Sequence, residues 1–196
     1  MGTRTNILAD HTVSDYLDRA AVLDRLAPAL PEVVAVRDFW NTYDPDEARD
    51  ECYRWDASPP CPPPHDKYVS FDAPGGLSVY FRFGSSVVNV RASLRWRGFL
   101  SIDPLRRVHL PAFRKVAALL GANRIVYMPD DDLVIYDARS EGSTLDDCIA
   151  ELERRWGPPQ ASVEVLDPEV VRATDHGVPT VWFVETIPKP CDSGQL

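Results

Sequence analysis

Two charged runs of opposite sign hold most of the chemistry this chain can offer. In residues 82–115 eight bases, Arg82, Arg91, Arg95, Arg97, Arg106, Arg107, Arg114 and Lys115, meet a single acid, Asp103, for a local charge of +7. In residues 130–153 nine acids oppose only Arg139, for a local charge of −8. Arginines at every second strand position can follow a line of phosphates. A nucleic-acid platform would also interleave exposed aromatic rings for stacking, and here Trp96 falls on the apolar side of the pattern. Pairing with the protein's own acids, or cover by a helix, is the simpler fate for that arginine face.

The acidic run begins with Asp130, Asp131 and Asp132 and continues through Asp137, Glu141, Asp146 and Asp147. Three uses compete for it. Calcium binding needs alternating ligands around a central glycine, which three consecutive aspartates do not provide. A solvated loop and helix start would use the same residues, because acids favour the positive end of a helix dipole. The third use is an acidic decoy that fills the basic substrate cleft of a partner enzyme, and the partner-binding candidates are these seven acids. A second acidic stretch, residues 44–56, contains Asp44, Asp46, Glu47, Asp50 and Glu51 and sums to −4. It is a secondary candidate for the same role.

Catalytic signatures are missing. The sequence contains no GxGxxG, no phosphate-cradling Walker loop, no GxSxG elbow and no HExxH. His11, His65, His109 and His176 stand apart from one another and read as surface or helix-flank residues rather than general bases. Cys52, Cys61, Cys148 and Cys191 include no CxxC pair, and the Cys61–His65 spacing lacks a second ligand pair, so no metal and no cofactor are expected.

The elements that must position the charged runs follow from periodicity. Val13 and Ser14 form a staple and N-cap for a first helix, with Tyr16, Ala20, Leu23, Leu26 and Ala27 on one face, ended by Pro28 and Pro31. Residues 58–66, SPPCPPPHD, should form a stiff extended connection. A strand over residues 68–71, a Pro74-Gly75-Gly76 turn, and alternation from Leu77 to Phe83 and again from Val88 to Arg97 describe antiparallel hairpins. Pro111 opens a helix with a Phe113, Val116, Ala117 and Leu120 stripe, and Gly121 supplies its left-handed cap. Residues 124–128 form a short strand. Residues 133–136 extend the sheet signal. Ser143 or Thr144, with Asp146 or Asp147, caps a helix whose buried face is Leu145, Cys148, Ile149, Leu152 and Trp156. Strands at residues 162–166 and 180–185 follow.

Hairpins first and helices later specify an α+β fold: a single domain with a mainly antiparallel sheet covered by helices on one face. The expected layout is an N-terminal helical segment (residues 1–57) packed on the main body, the proline-rich connection, an α+β core (67–187) and a disordered tail (188–196). A chain of 196 residues with 44% hydrophobic content buries a core without disulfides. Its net charge of −9 disfavours bulk binding to nucleic acid or anionic lipid and favours a basic partner. The first residues lack an apolar secretory region, which points to the cytoplasm.

Three phrases, LRWRGFL, FRKVAALLGANRIVYMPDD and CIAELERRWGPPQ, resemble a family of bacterial polymorphic-toxin immunity proteins. The likeness covers roughly residues 68–185. It rests on Trp96 and Arg97 at a strand end, a helix-glycine-strand unit around Gly121, and a helix closing on Trp156-Gly157-Pro158. The resemblance implies an antitoxin that binds a cognate toxin and blocks its active site, some such toxins being nucleases delivered by type VI secretion. It assigns no catalytic residue. A small enzyme of unrecognised type, or a nucleic-acid-associated protein using the arginine strand, are the alternative readings.

Overall fold

The computed structural model describes residues 4–14, 25–26, 35–37, 68–73, 77–130, 134, 142–166, 169 and 181–187. The proline-rich connection, the acidic residues 44–56 and the C-terminal tail lie outside the described residues.

The frame is a seven-stranded antiparallel sheet of order β2-β3-β4-β5-β1-β6-β7. Its strands are β1 (Arg4–Asp10), β2 (Ala35–Arg37), β3 (Tyr68–Ala73), β4 (Leu77–Phe83), β5 (Val87–Arg95), β6 (Arg124–Pro129) and β7 (Phe183–Thr186). Three helices are described: α1 (Trp96–Ser101), α2 (Asp103–Leu119) and α3 (Leu145–Trp156). The α+β class and the antiparallel sheet are those expected from the pattern of elements.

The position of β1 departs from the expected layout. Residues 4–10 form the central strand, hydrogen-bonded to β5 on one side and β6 on the other, rather than part of an appended helical segment. Polar composition concealed this strand, since Thr5 and Asn6 are both fully buried. Of the helix expected after Ser14, only Arg25 and Leu26 are described; they are helical and Leu26 is buried.

Strand alternation sorts the core into two faces. On the first, Ile7 and Ala9 of β1, Val88 and Val90 of β5, and Ile125 and Tyr127 of β6 meet α1 and α2. Trp96 stacks on Phe99 at 5.3 Å and Phe99 on Tyr127 at 6.2 Å, so an aromatic column ties α1 to the sheet. On the second, Leu8, Val126 and Met128 pack beneath Leu145, Cys148 and Leu152 of α3. Cover on the α1–α2 face matches the expectation, and α3 adds cover to one end of the opposite face.

Three local boundaries also differ. β5 ends at Arg95 and a helix begins at Trp96. Trp96, Phe99 and Leu100 are buried at i, i+3 and i+4 spacing, which is helical, and Trp96 only coincidentally continues the strand alternation. The next helix starts at Asp103 with a proline in its first turn, and Pro111 lies inside it. Pro111 is exposed, and it leaves one helix carbonyl without its usual amide partner. Arg106, buried on the core-facing side of that first half, hid the apolar stripe. Residues 162–166 turn instead of forming a strand: the Ser162 hydroxyl accepts from the amides of Glu164 at 3.2 Å and Val165 at 3.4 Å.

Two caps match their sequence signals. Gly121 has φ +78, with its amide on the Ala118 carbonyl and that of Ala122 on the Ala117 carbonyl, the paired bonds of a Schellman cap. Thr144 accepts from the Asp147 amide, and the Asp147 carboxylate accepts from the Thr144 amide at 2.8 Å, completing the capping box of α3.

Candidate interaction surface

Beyond the cover of α3, the second sheet face changes from apolar to polar. Three adjacent strands supply this polar field: Asn89 and Arg91 from β5, Asn6 from β1, and Asp130 at the end of β6. The Asn89 amide donates to the Asn6 carbonyl oxygen at 3.1 Å, and the Asn6 amide donates to Asp130 at 3.0 Å. Arg91 donates to the other Asp130 carboxylate oxygen in an ion pair. Asp130 is held through its backbone as well, its amide donating to the Arg4 carbonyl at 2.9 Å.

The relay has a direction. Asp130 can only accept, so Asn6 must turn its NH2 toward Asp130 and its oxygen toward Asn89. Asn6 is fully buried and Asn89 is 3% exposed, so each amide relies on this chain to offset its desolvation. At the far edge of the field Arg4 and Arg95 are direct partners across the β1–β5 pairing. A bulge falls beside them, because Thr5 pairs with Ala92 and the next pair is already Arg4 with Arg95. Both arginines are exposed, and among the described residues neither guanidinium meets a hydrogen-bond or ion-pair partner.

Comparison of the chain with protein-family models, curated proteins and solved structures gives no match.

The acids expected to meet a partner divide into two groups. Asp131, Asp132, Asp137, Glu141, Asp44, Asp46, Glu47, Asp50 and Glu51 lie outside the described residues. The three that are described all have partners within the protein. Asp130 is the 16%-exposed acceptor of the relay. Asp146 accepts from Arg124 at 2.7 Å, which holds its carboxyl below the ordinary aspartate value, while its side chain stays 75% exposed. Asp147 is held low by the Thr144 hydroxyl and amide. Further along α3, Glu151 is brought down to about 2 by Arg154 and then Arg155.

The expected pairing of the arginine face with the protein's own acids is realised at Arg91 and not at Arg95. On the helical side, Arg114 bridges Glu164 and Glu185, each at 2.7 Å, and Glu185 accepts from the buried Tyr127 hydroxyl at 2.8 Å. Burial, followed by the neighbouring Glu185 charge, raises the Tyr127 phenol well above its usual range. Burial acts to lower Arg114, but its hydrogen bonds to Glu185 and Glu164 outweigh that effect and raise it.

His11 is not a surface residue. It is 8% exposed, packs edge-on against Phe83, accepts at Nδ1 from the Val13 amide at 3.3 Å and donates from Nε2 to the Gly84 carbonyl at 2.9 Å. Burial lowers its pKa against the opposing influence of Gly84 and Asp10. His109 bonds to the Leu105 carbonyl one turn back at 2.6 Å.

Among the described residues no three His, Cys, Asp or Glu side chains converge where a metal ion would sit. A cavity of about 150 Å³ beside α3 is lined by Val134, Ser143, Asp147, Cys148 and Glu151. Its two carboxylates are already engaged by Thr144 and by Arg154 and Arg155. No helix among the described residues is long and apolar enough to cross a membrane.

Arg4, Asn6 and Asn89 are not among the residues that the sequence marks for a site. Asn89 sits at an outward position of a half-buried strand, where polarity normally signals water. Its one usable clue is an asparagine followed at i+2 by an arginine on the same strand face.

Proposed function

We propose that this protein is an immunity protein that binds and occludes a cognate secreted toxin, a nuclease acting in the cytoplasm, through the acidic run that begins at Asp130. One observation carries the reading: the run is tied to the folded core at both ends. At its start Asp130 is held by Asn6, Arg91 and the Arg4 carbonyl. At its end the Thr144–Asp147 capping box and the Arg124–Asp146 ion pair fix the first turn of α3 against the sheet. A negatively charged segment anchored in this way loses less conformational freedom when it enters a basic cleft, so more of its electrostatic attraction is retained as affinity. The overall charge of −9 would speed encounter with a basic enzyme.

Co-expression with the product of the adjacent gene tests the proposal. The expected result is rescue of growth and co-purification of the two chains, with both lost in Asp131→Lys/Asp132→Lys. Growth arrest despite co-expression, with no co-purification, overturns it. Rescue that survives the double charge reversal would remove the acidic run from the contact.

A further inference from the structure

Uncompensated basic charge stands on the described surface, although the protein as a whole is acidic. Asp130, Asp146 and Asp147 each have an internal partner. Arg4 and Arg95, by contrast, face each other across two paired strands with no hydrogen-bond or ion-pair partner among the described residues. Like charges placed directly opposite on a sheet repel. Here the bulge between the Thr5–Ala92 and Arg4–Arg95 pairs brings them into that position, and bulges of this kind commonly re-aim a side chain at a functional surface. Arg91 stands on the same sheet face but is committed to Asp130.

We propose that Arg4 and Arg95 form a docking site for a carboxylate-rich protein segment, beside the start of the acidic run and independent of the toxin reading. Each guanidinium offers the planar fork that holds a carboxylate by two parallel hydrogen bonds. An incoming acid would also remove the repulsion between the two arginines. Charge complementarity selects the occupant. A nucleic acid brings a long line of phosphates, which a net charge of −9 disfavours along most of its length. A short acidic protein element meets only the corner.

The test is fluorescence anisotropy at low ionic strength with a labelled hexaglutamate peptide, a labelled single-stranded oligonucleotide and inorganic phosphate as competitor. The full chain should bind hexaglutamate in a salt-sensitive manner, and more tightly than the oligonucleotide. Arg4→Gln/Arg95→Gln, which removes both bidentate forks, should weaken binding at least about tenfold. Arg107→Gln should leave it unchanged, because that exposed arginine is already paired with Asp103. If the double variant fails to fold, Arg95→Glu decides the matter. It places opposite charges across the strand pair, so its melting temperature should be no lower than that of the parent while hexaglutamate binding is lost. The site is refuted by absence of hexaglutamate binding, by equal loss in Arg107→Gln, by preference for the oligonucleotide, or by full competition from millimolar phosphate with no peptide selectivity.

Discussion

Replacing Asp130 by asparagine changes one atom and should cost about 2 kcal/mol, because the relay it terminates has no slack. The carboxylate accepts from Asn6 with one oxygen and from Arg91 with the other. An asparagine retains a single accepting oxygen. Turned toward Arg91, it sets its own NH2 against the Asn6 NH2 and leaves a fully buried donor unsatisfied, at about 1–3 kcal/mol. Turned toward Asn6, it faces Arg91 with a donor. Arg91 is 39% exposed and can reach water, so the broken ion pair adds at most about 1 kcal/mol after solvent screening. Urea unfolding followed by the fluorescence of buried Trp96 and Trp182 should show a lower midpoint with an unchanged slope. In a chain of this size about 2 kcal/mol corresponds to a fall of about 4–8 °C in Tm. A double-mutant cycle isolates the cause. With Arg91→Met in place, the asparagine introduced by Asp130→Asn can serve Asn6 alone, and the substitution should cost no more than about 0.5 kcal/mol. A wild-type midpoint in Asp130→Asn, or an undiminished loss in the Arg91→Met background, would refute the directional relay.

Further perturbations test the glycine caps and the buried histidine. Gly121→Ala should lose about 2 kcal/mol or more, since a side chain at φ +78 is strained and its Cβ would lie 2.1 Å from the Thr12 hydroxyl oxygen. Gly157→Ala, at φ +79 with open space around it, should carry the strain alone, and Thr12→Ala should recover part of the Gly121→Ala loss on denaturant titration. His11 is held neutral by burial, with a folded pKa below its ordinary 6.5. Its contribution is therefore complete above pH 6.5 and declines as pH falls toward the folded value, because the unfolded chain takes up a proton that the folded one resists. Stability measured from about pH 7 to pH 5 should fall in the parent and be flatter in His11→Gln; identical slopes would exclude His11 as the source.

What could be read from the sequence alone is what neighbours in the chain decide. The Leu77–Phe83 and Val87–Arg95 strands, the Gly121 cap, the Thr144–Asp147 box and the buried face of α3 all depend on residues within a few positions of one another. Period and cap chemistry report such contacts directly. Where two periods overlapped, as at Trp96, or where a buried Arg106 broke the stripe, the boundary moved. The centre of the sheet and its polar field required the tertiary structure. Asn6 meets Asp130 from 124 residues away and Arg91 meets it from 39, and no local pattern marks a polar N-terminal stretch as the strand between β5 and β6. That placement buries two asparagines, engages Asp130 internally and leaves Arg4 and Arg95 without partners among the described residues, because burial and charge pairing depend on which strands become neighbours.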